Sequence, residues 1–321
     1  MPITTQVTCR ISILLVTYNH ASHVRQALDA LFGQVFEGAI ELIVADDASS
    51  DNTVAIIKEY EAKQARFGFK YLDNTKNLGI TKNYQRGFAA CTGEYVAVLE
   101  GDDYWVSPFK LRRQMDFLDA HWESDLCSVN YFVYEENRSH FYPRAPVGNS
   151  YRLIGARDLI ADNLVGNFST CMYRNRALAS LPKELFDICS YDWIVNICVA
   201  RGSLIGFLEE PMSVYRLHSG GVWSQTPHVE KLKVQLELIP AYDTLTERVY
   251  HAEFELLSDR LQRMISMANL GQIAAPLISL RAGLLSRLVD YLPPVLLWAA
   301  LALTPPKLKR FMVKIVRRGG A

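Results

Sequence analysis

Apolar positions in the first 130 residues follow two alternating rhythms. Residues 11–17 are strand-like, and residues 22–32 then place Val24, Ala27, Leu28 and Leu31 on one helical face. The alternation repeats. Residues 40–45 read as a second strand. Val54, Ile56, Ile57 and Tyr60 give the following helix a buried face, with Ser49 or Ser50 as its cap. Residues 67–72, 95–99 and 125–131 read as further strands, and residues 81–90 as a helix. Pro108 opens an amphipathic helix to about His121, at the first turn, where a missing N–H costs nothing. This pattern predicts an α/β fold: a mostly parallel, Rossmann-like sheet with helices on both faces.

Beyond residue 150 the rhythm is mixed. Residues 156–163, 175–181 and 191–200 look helical, and residues 168–173 and 203–207 extended. Residues 228–268 read as helix with Pro240 as a candidate break, and residues 273–316 turn apolar and then basic. A boundary is therefore expected between residues 1–225 and a helical region, 226–321.

Composition narrows the classes. Half of the 321 residues are hydrophobic, enough for a sizeable core and against disorder. Basic and acidic side chains balance at 34 each, which argues against a nucleic-acid partner. The balance is uneven along the chain. After Asp290 come six basic residues and no acidic one, so residues 1–290 carry a net charge of −6. Residues 295–303 are wholly apolar but fenced by Pro293-Pro294 and Pro305-Pro306, far short of the ~20 residues of a spanning helix. Residues 291–321 read either as an interfacial helix with its basic residues on anionic lipid or as a helix packed on protein. The six Cys residues form no C-x-x-C pair and have irregular gaps, as expected of reduced thiols in a cytoplasmic protein. Residues 1–10 are polar, and the first apolar run lacks a basic flank, so no secretory signal is expected.

In parallel sheets, ligands bind beyond the carboxyl ends of the strands. Those ends carry Thr17-Tyr18-Asn19, Asp46-Asp47 and Glu100-Gly101-Asp102-Asp103. Adjacent Asp102 and Asp103 suit a hard divalent cation, which takes one or two carboxylates plus phosphate oxygens. Gly101 lets the backbone turn so that a diphosphate can approach. Asp46 and Asp47 suit a base N–H or a ribose hydroxyl, or the capping of the next helix. Asp192 opens a predicted helix, where the dipole favours its ionised form. Further on, Tyr215-Arg216-Leu217-His218 followed by Gly220-Gly221 suits a flexible loop closing over an anion.

These pieces carry a resemblance. The string I11-S-I-L-L-V-T-Y-N-H20, then L42-I-V-A-D-D-A-S-S-D-N-T53, N77-L-G-I80, G93-E-Y-V-A-V-L-E-G-D-D-Y-W105 and S107-P-F-K-L-R-R-Q114 resembles the family 2 glycosyltransferases in order and spacing, over roughly residues 9–224. The resemblance implies a GT-A fold for residues 1–225, a nucleotide-diphosphate sugar donor (a UDP-sugar first), Mg2+ or Mn2+, and inversion at the anomeric carbon. By position, Thr17, Tyr18, Asn19, Asp46 and Asp47 would line the nucleoside pocket. Asp102 and Asp103 match the end of the family's metal motif, which here begins with Glu100. Asp192 before Trp193 is similar to the catalytic base, with Tyr191 in place of the usual Glu. Arg216 and His218 would meet diphosphate or metal. The acceptor implied is a glycan or lipid-linked hydroxyl, in cell-surface polysaccharide synthesis, with the protein peripheral on the inner face of the plasma membrane. A second copy of the chain stays open as a partner. A nucleotidyltransferase would want a glycine-rich phosphate loop near its first strand, and residues 17–24 hold no glycine. A catalytically inactive nucleotide-sugar-binding module predicts binding without turnover.

Overall fold

The computed structural model describes residues 10–73, 75–189, 191–221 and 226–268. The chain divides into two compact units, residues 1–260 and 261–321. The described part of the second is helical residues 261–268. Residues 226–260 thus fold with the first unit, beyond the boundary the sequence suggests. The basic tail, residues 291–321, lies outside the described residues. Among the described residues, no helix is long and apolar enough to cross a membrane.

The first half of the first unit follows the alternation: β1 (Ile11–Thr17), α1 (Val24–Phe32), β2 (Ile40–Asp46), α2 (Thr53–Glu61), β3 (Phe67–Tyr71), α3 (Ile80–Ala90) and β4 (Tyr95–Glu100). These strands lie parallel in the order β3-β2-β1-β4. Every residue of β1 is buried, as expected of a strand covered on both faces. Val24, Ala27, Leu28 and Leu31 of α1 are the residues it buries.

The second half is mixed. It comprises β5 (Tyr104–Trp105), α4 (Lys110–Ala120), β6 (Ser124–Glu135), β7 (His140–Pro143), β8 (Tyr151–Ile154), α5 (Ala156–Ala161), β9 (Cys171–Arg174), α6 (Asn175–Ala179), α7 (Asp192–Val199), β10 (Leu204–Leu217) and α8 (His228–Leu245). The sheet continues β4-β9-β6-β10-β5, with β9 antiparallel to both neighbours and β10 parallel to β6. β10 is far longer than its apolar pattern suggests because it tolerates Pro211 at a bulge. Proline cannot donate to the ladder. Asn130 of β6 repairs the break, donating its side-chain amide to the carbonyls of Ala145 (3.0 Å) and Glu209 (3.1 Å).

Two local expectations need correcting. Neither Ser49 nor Ser50 caps α2, which starts at Thr53 without a side-chain cap at Asn52. Ser49 instead donates its backbone N–H to Asp46 (2.8 Å), because the left-handed Ala48 (φ 59°) folds the loop back on the strand end. Pro240 does not break the helix but lies inside α8. The break falls at residues 246–250, where Glu247 and Arg248 have positive φ. Of the cysteines, Cys91, Cys127 and Cys171 are buried free thiols, and Cys9 lies outside the described residues.

Candidate active site

Register alone puts the polar strand ends on one edge. Thr17 stands opposite Asp46, and Val16 opposite Glu100. Tyr104 and Trp105 of β5 pair antiparallel with Val214 and Ser213 of β10. That short pairing carries Asp102 to the end of β10, where Arg216 and His218 emerge. The edge opens on a cavity of about 620 Å³, in the size range of small-molecule sites. Thr17, Tyr18, Asp47, Asp102, Asp192 and Arg216 line it, together with His20, Glu100, Asn163 and residues of α8. Asn19 and His218 line a neighbouring cavity.

The acidic pairs divide their labour. In the first, the Thr17 hydroxyl donates to Asp46 Oδ1 (2.8 Å), so Asp46 ties β1 to β2. Asp47 is buried and accepts from the backbone N–H groups of Leu78 (2.8 Å) and Gly79 (2.9 Å), which positions the start of α3. Asn19, in the left-handed region at φ 56°, clamps the same loop by accepting from the Ser50 N–H (2.8 Å).

In the second pair the two carboxylates face opposite ways. Asp102 Oδ2 meets His218 Nε2 at 3.1 Å and His20 Nε2 at 3.7 Å. Burial pushes the Asp102 carboxyl up, but the His218 hydrogen bond and the charges of His20 and His218 outweigh it and hold the group below its ordinary value. Asp103 is fully buried. It accepts from the Ser169 hydroxyl (2.8 Å), the Asn167 amide (3.3 Å) and the Arg216 N–H (2.9 Å). Burial, then the charges of Asp102 and Glu100, push it well above the carboxylate range. Glu100 is raised to about 8 by burial and by Asp102, and accepts from the Tyr84 hydroxyl (2.8 Å).

Gly101 earns its place through packing. A Cβ there would lie 2.6 Å from Thr17 Cγ2 and 2.9 Å from His20 Nδ1. Overpacking of this kind typically costs about 1–3 kcal/mol. Gly101→Ala is expected to lower Tm and displace His20 from Asp102; an unchanged Tm and unchanged Mn2+ affinity would contradict this.

Arg216 is a locked cation. Its Nε donates to the Asp102 carbonyl (2.8 Å), Nη1 to Glu136 (3.2 Å) and Nη2 to Gln26 (2.5 Å). The guanidinium also lies over Tyr104 and Tyr134. His23, Glu136 and His218 bring three possible ligand atoms within 4.8 Å. Arg216 occupies the same Glu136 oxygen that His23 approaches, which disfavours a cation there.

Asp192 begins α7, and the Trp193 N–H donates to its Oδ1 (2.7 Å). Trp193 anchors the helix by donating its indole N–H to the Leu159 carbonyl (2.6 Å). Burial raises Asp192 to about 7, against the Trp193 and Asn163 hydrogen bonds, which lower it.

Comparison with known proteins agrees with this architecture. The glycosyl transferase family 2 model matches residues 12–181, more than half of the chain. The chain belongs to that family. The family 2 match ends before Asp192, Arg216 and α8, which also line the cavity. An uncharacterized protein of Mycobacterium tuberculosis is 34% identical over 212 residues, 66% of this chain. The chain spans 60% of that relative's length. An uncharacterized glycosyltransferase of Nostoc sp. is 27% identical over 65% of this chain and 65% of its own length. Two solved structures share the GT-A fold. S. aureus TarS 1–349 in complex with UDP-GlcNAc has a TM-score of 0.57 at 19% identity, over 74% of this chain and 70% of that one. The Pyrobaculum calidifontis mannosyltransferase PcManGT, in complex with GDP-Man and Mn2+, has a TM-score of 0.57 at 16% identity, over 97% and 86%.

Sequence reasoning missed His20, Glu136 and the cavity face of α8. His20 was within the quoted motif, but nothing local signals its approach to Asp102. Glu136 is 80 residues from Arg216, and only the fold joins them.

Proposed function

We propose that this family 2 member is an inverting glycosyltransferase. It moves a sugar from a nucleotide-diphosphate sugar, UDP-sugars first, to a hydroxyl of a glycan or lipid-linked acceptor. The carrying observation is that two carboxyls in one cavity are pushed apart: Asp102 is held ionised while Asp192 is raised to about 7. Divergent carboxyls of this kind mark separate roles in catalysis. Asp192 is the base, taking the acceptor proton as its oxygen attacks the anomeric carbon.

Asp102 and His218 fit a divalent cation. His218 Nε2 faces Asp102 Oδ2 at 3.1 Å while Nδ1 accepts from the Gly220 N–H (3.2 Å), so the ring proton sits on Nε2 and a cation held there would displace it. One carboxylate and one imidazole leave room for phosphate oxygens, as Mg2+ or Mn2+ sites usually do. A cation bound there supplies Lewis-acid stabilisation of the departing diphosphate. Asp103 supports the site from behind, by fixing the backbone of Arg216.

The basic, acid-free stretch 291–321 supports a peripheral position on the inner face of an anionic membrane, with acceptor glycans in surface-polysaccharide synthesis. A screen of UDP- and GDP-sugars for nucleoside diphosphate release, with Mn2+, Mg2+ or EDTA, tests the reading. Metal-dependent release from at least one donor is expected; ATP turnover without any nucleotide-sugar effect would contradict it.

A further inference from the structure

Counting donors around the cavity exposes a missing charge. Nucleotide-sugar transfer, the reading on which this inference rests, breaks the bond between the anomeric carbon and a phosphate oxygen. The acceptor oxygen forms the new bond, its proton goes to Asp192, and the bonding pair leaves with the diphosphate. Besides histidines, Arg216 and Lys231 are the cations lining the cavity among the described residues. Three of the five N–H groups of Arg216 are already bonded, and both ring contacts hold its plane in place. It cannot turn toward a phosphate without breaking those ties.

Lys231 is different. It is half-buried on the cavity wall, and its ammonium has no hydrogen bond or ion pair to a described residue. It sits in the first turn of α8, where its charge adds to the positive end of the helix dipole. The nearest acidic residue in that turn, Glu230, is paired with Lys233 at 2.8 Å. Lys231, Gln235, Leu238 and Tyr242 are spaced four, three and four residues apart, so they form one stripe along α8, and all four line the cavity.

The two ends of that stripe differ. Tyr242 meets Trp193 edge-on at 6.2 Å, beside the base Asp192. Lys231 lies eleven residues away, about 16 Å along the axis. Gly220 and Gly221, which follow the Asp102 partner His218, line the same cavity. In an inverting displacement, the leaving group departs on the face opposite the attacking hydroxyl. The end of the stripe away from Asp192, where Lys231 stands, is therefore the end that suits a leaving group.

We propose that Lys231 binds the donor's diphosphate and supplies a side-chain positive charge free to follow it, as the tethered Arg216 is not. The class of ligand it takes is a phosphate oxygen of a nucleoside diphosphate.

Calorimetric titration tests this with UDP and GDP against uridine and guanosine, with and without Mn2+, on wild type, Lys231→Gln and Lys231→Arg. Charge-assisted hydrogen bonds imply a loss of about 10- to 100-fold in diphosphate affinity for the Gln variant. Nucleoside affinity and Tm are expected to stay unchanged, and the Arg variant to recover most of the loss. Equal loss for nucleoside and diphosphate, or no loss for either, would overturn the proposal. So would an effect confined to acceptor KM, which would assign Lys231 to an anionic acceptor. Wild-type protein that binds neither UDP nor GDP would remove the nucleotide-sugar reading itself.

Discussion

Asp192→Asn is expected to cut sugar transfer by about 10²–10⁴-fold, the range for loss of a positioned general base. Donor binding should be nearly unchanged, because the amide keeps the shape and still accepts from the Trp193 N–H. In wild type, the rate should rise with pH and level off above about 7, since a base raised to that value is active only once deprotonated. Stability should move the opposite way. The folded carboxyl titrates at about 7, against an ordinary value of 3.8. Between those values the folded state holds a proton that the unfolded chain has released, so stability falls as pH climbs through the window. Above it, a buried charge remains, and Asn removes that cost. Asp192→Asn should therefore melt higher than wild type at about pH 8, while being inactive. Normal turnover in a folded Asn variant would reassign the base; a lower Tm would contradict the burial of its charge.

The second large effect separates the adjacent aspartates. Asp102→Asn removes the carboxylate that faces His218 and His20, and should lower turnover more than about 100-fold, with Mn2+ affinity falling in parallel. Asp103→Asn should keep turnover within about tenfold of wild type, because a neutral side chain suits its buried site, its amide oxygen can still accept from the Arg216 N–H, and the Ser169 hydroxyl can reverse its hydrogen bond. Asp103→Ala, which leaves the Arg216 N–H without its acceptor, should cost about 1–3 kcal/mol of stability. Metal titrations and melting curves of the three variants decide it. Equal loss of Mn2+ affinity at both positions would show that Asp103 is a ligand too.

The contrast shows what a linear reading can hold. β1, β2 and β4 were legible because strands buried on both faces are apolar along most of their length, Ser12 and Glu41 aside, and their polar ends follow directly. The α1 face was legible because its four apolar residues repeat at helical spacing. Asp102 and Asp192 stood out as carboxylates at a strand end and a helix start. Their neighbours did not separate, since the direction each side chain takes depends on distant residues. Asp103 turns inward to Ser169 and Arg216, 66 and 113 residues away. Arg216 lines the cavity as its motif position suggests, but its ties to Gln26 and Glu136, 190 and 80 residues away, are not legible in sequence. The length of β10 was hidden by Pro211, which reads as a strand breaker unless a partner such as Asn130 is there to cover the bulge. The cavity face of α8 was hidden for another reason. Its Lys, Gln, Leu and Tyr mix polar and apolar types, as a ligand-binding wall does, so it gives no clean amphipathic signal.

The most direct test is calorimetric titration of UDP-GlcNAc and GDP-Man, and related UDP- and GDP-sugars, into wild-type protein with Mn2+ and with EDTA. The account predicts that at least one donor binds, that binding weakens sharply when the metal is removed, and that Asp102→Asn abolishes the metal's contribution. Absence of binding by every nucleotide sugar, or tight binding indifferent to both metal and Asp102, would contradict it.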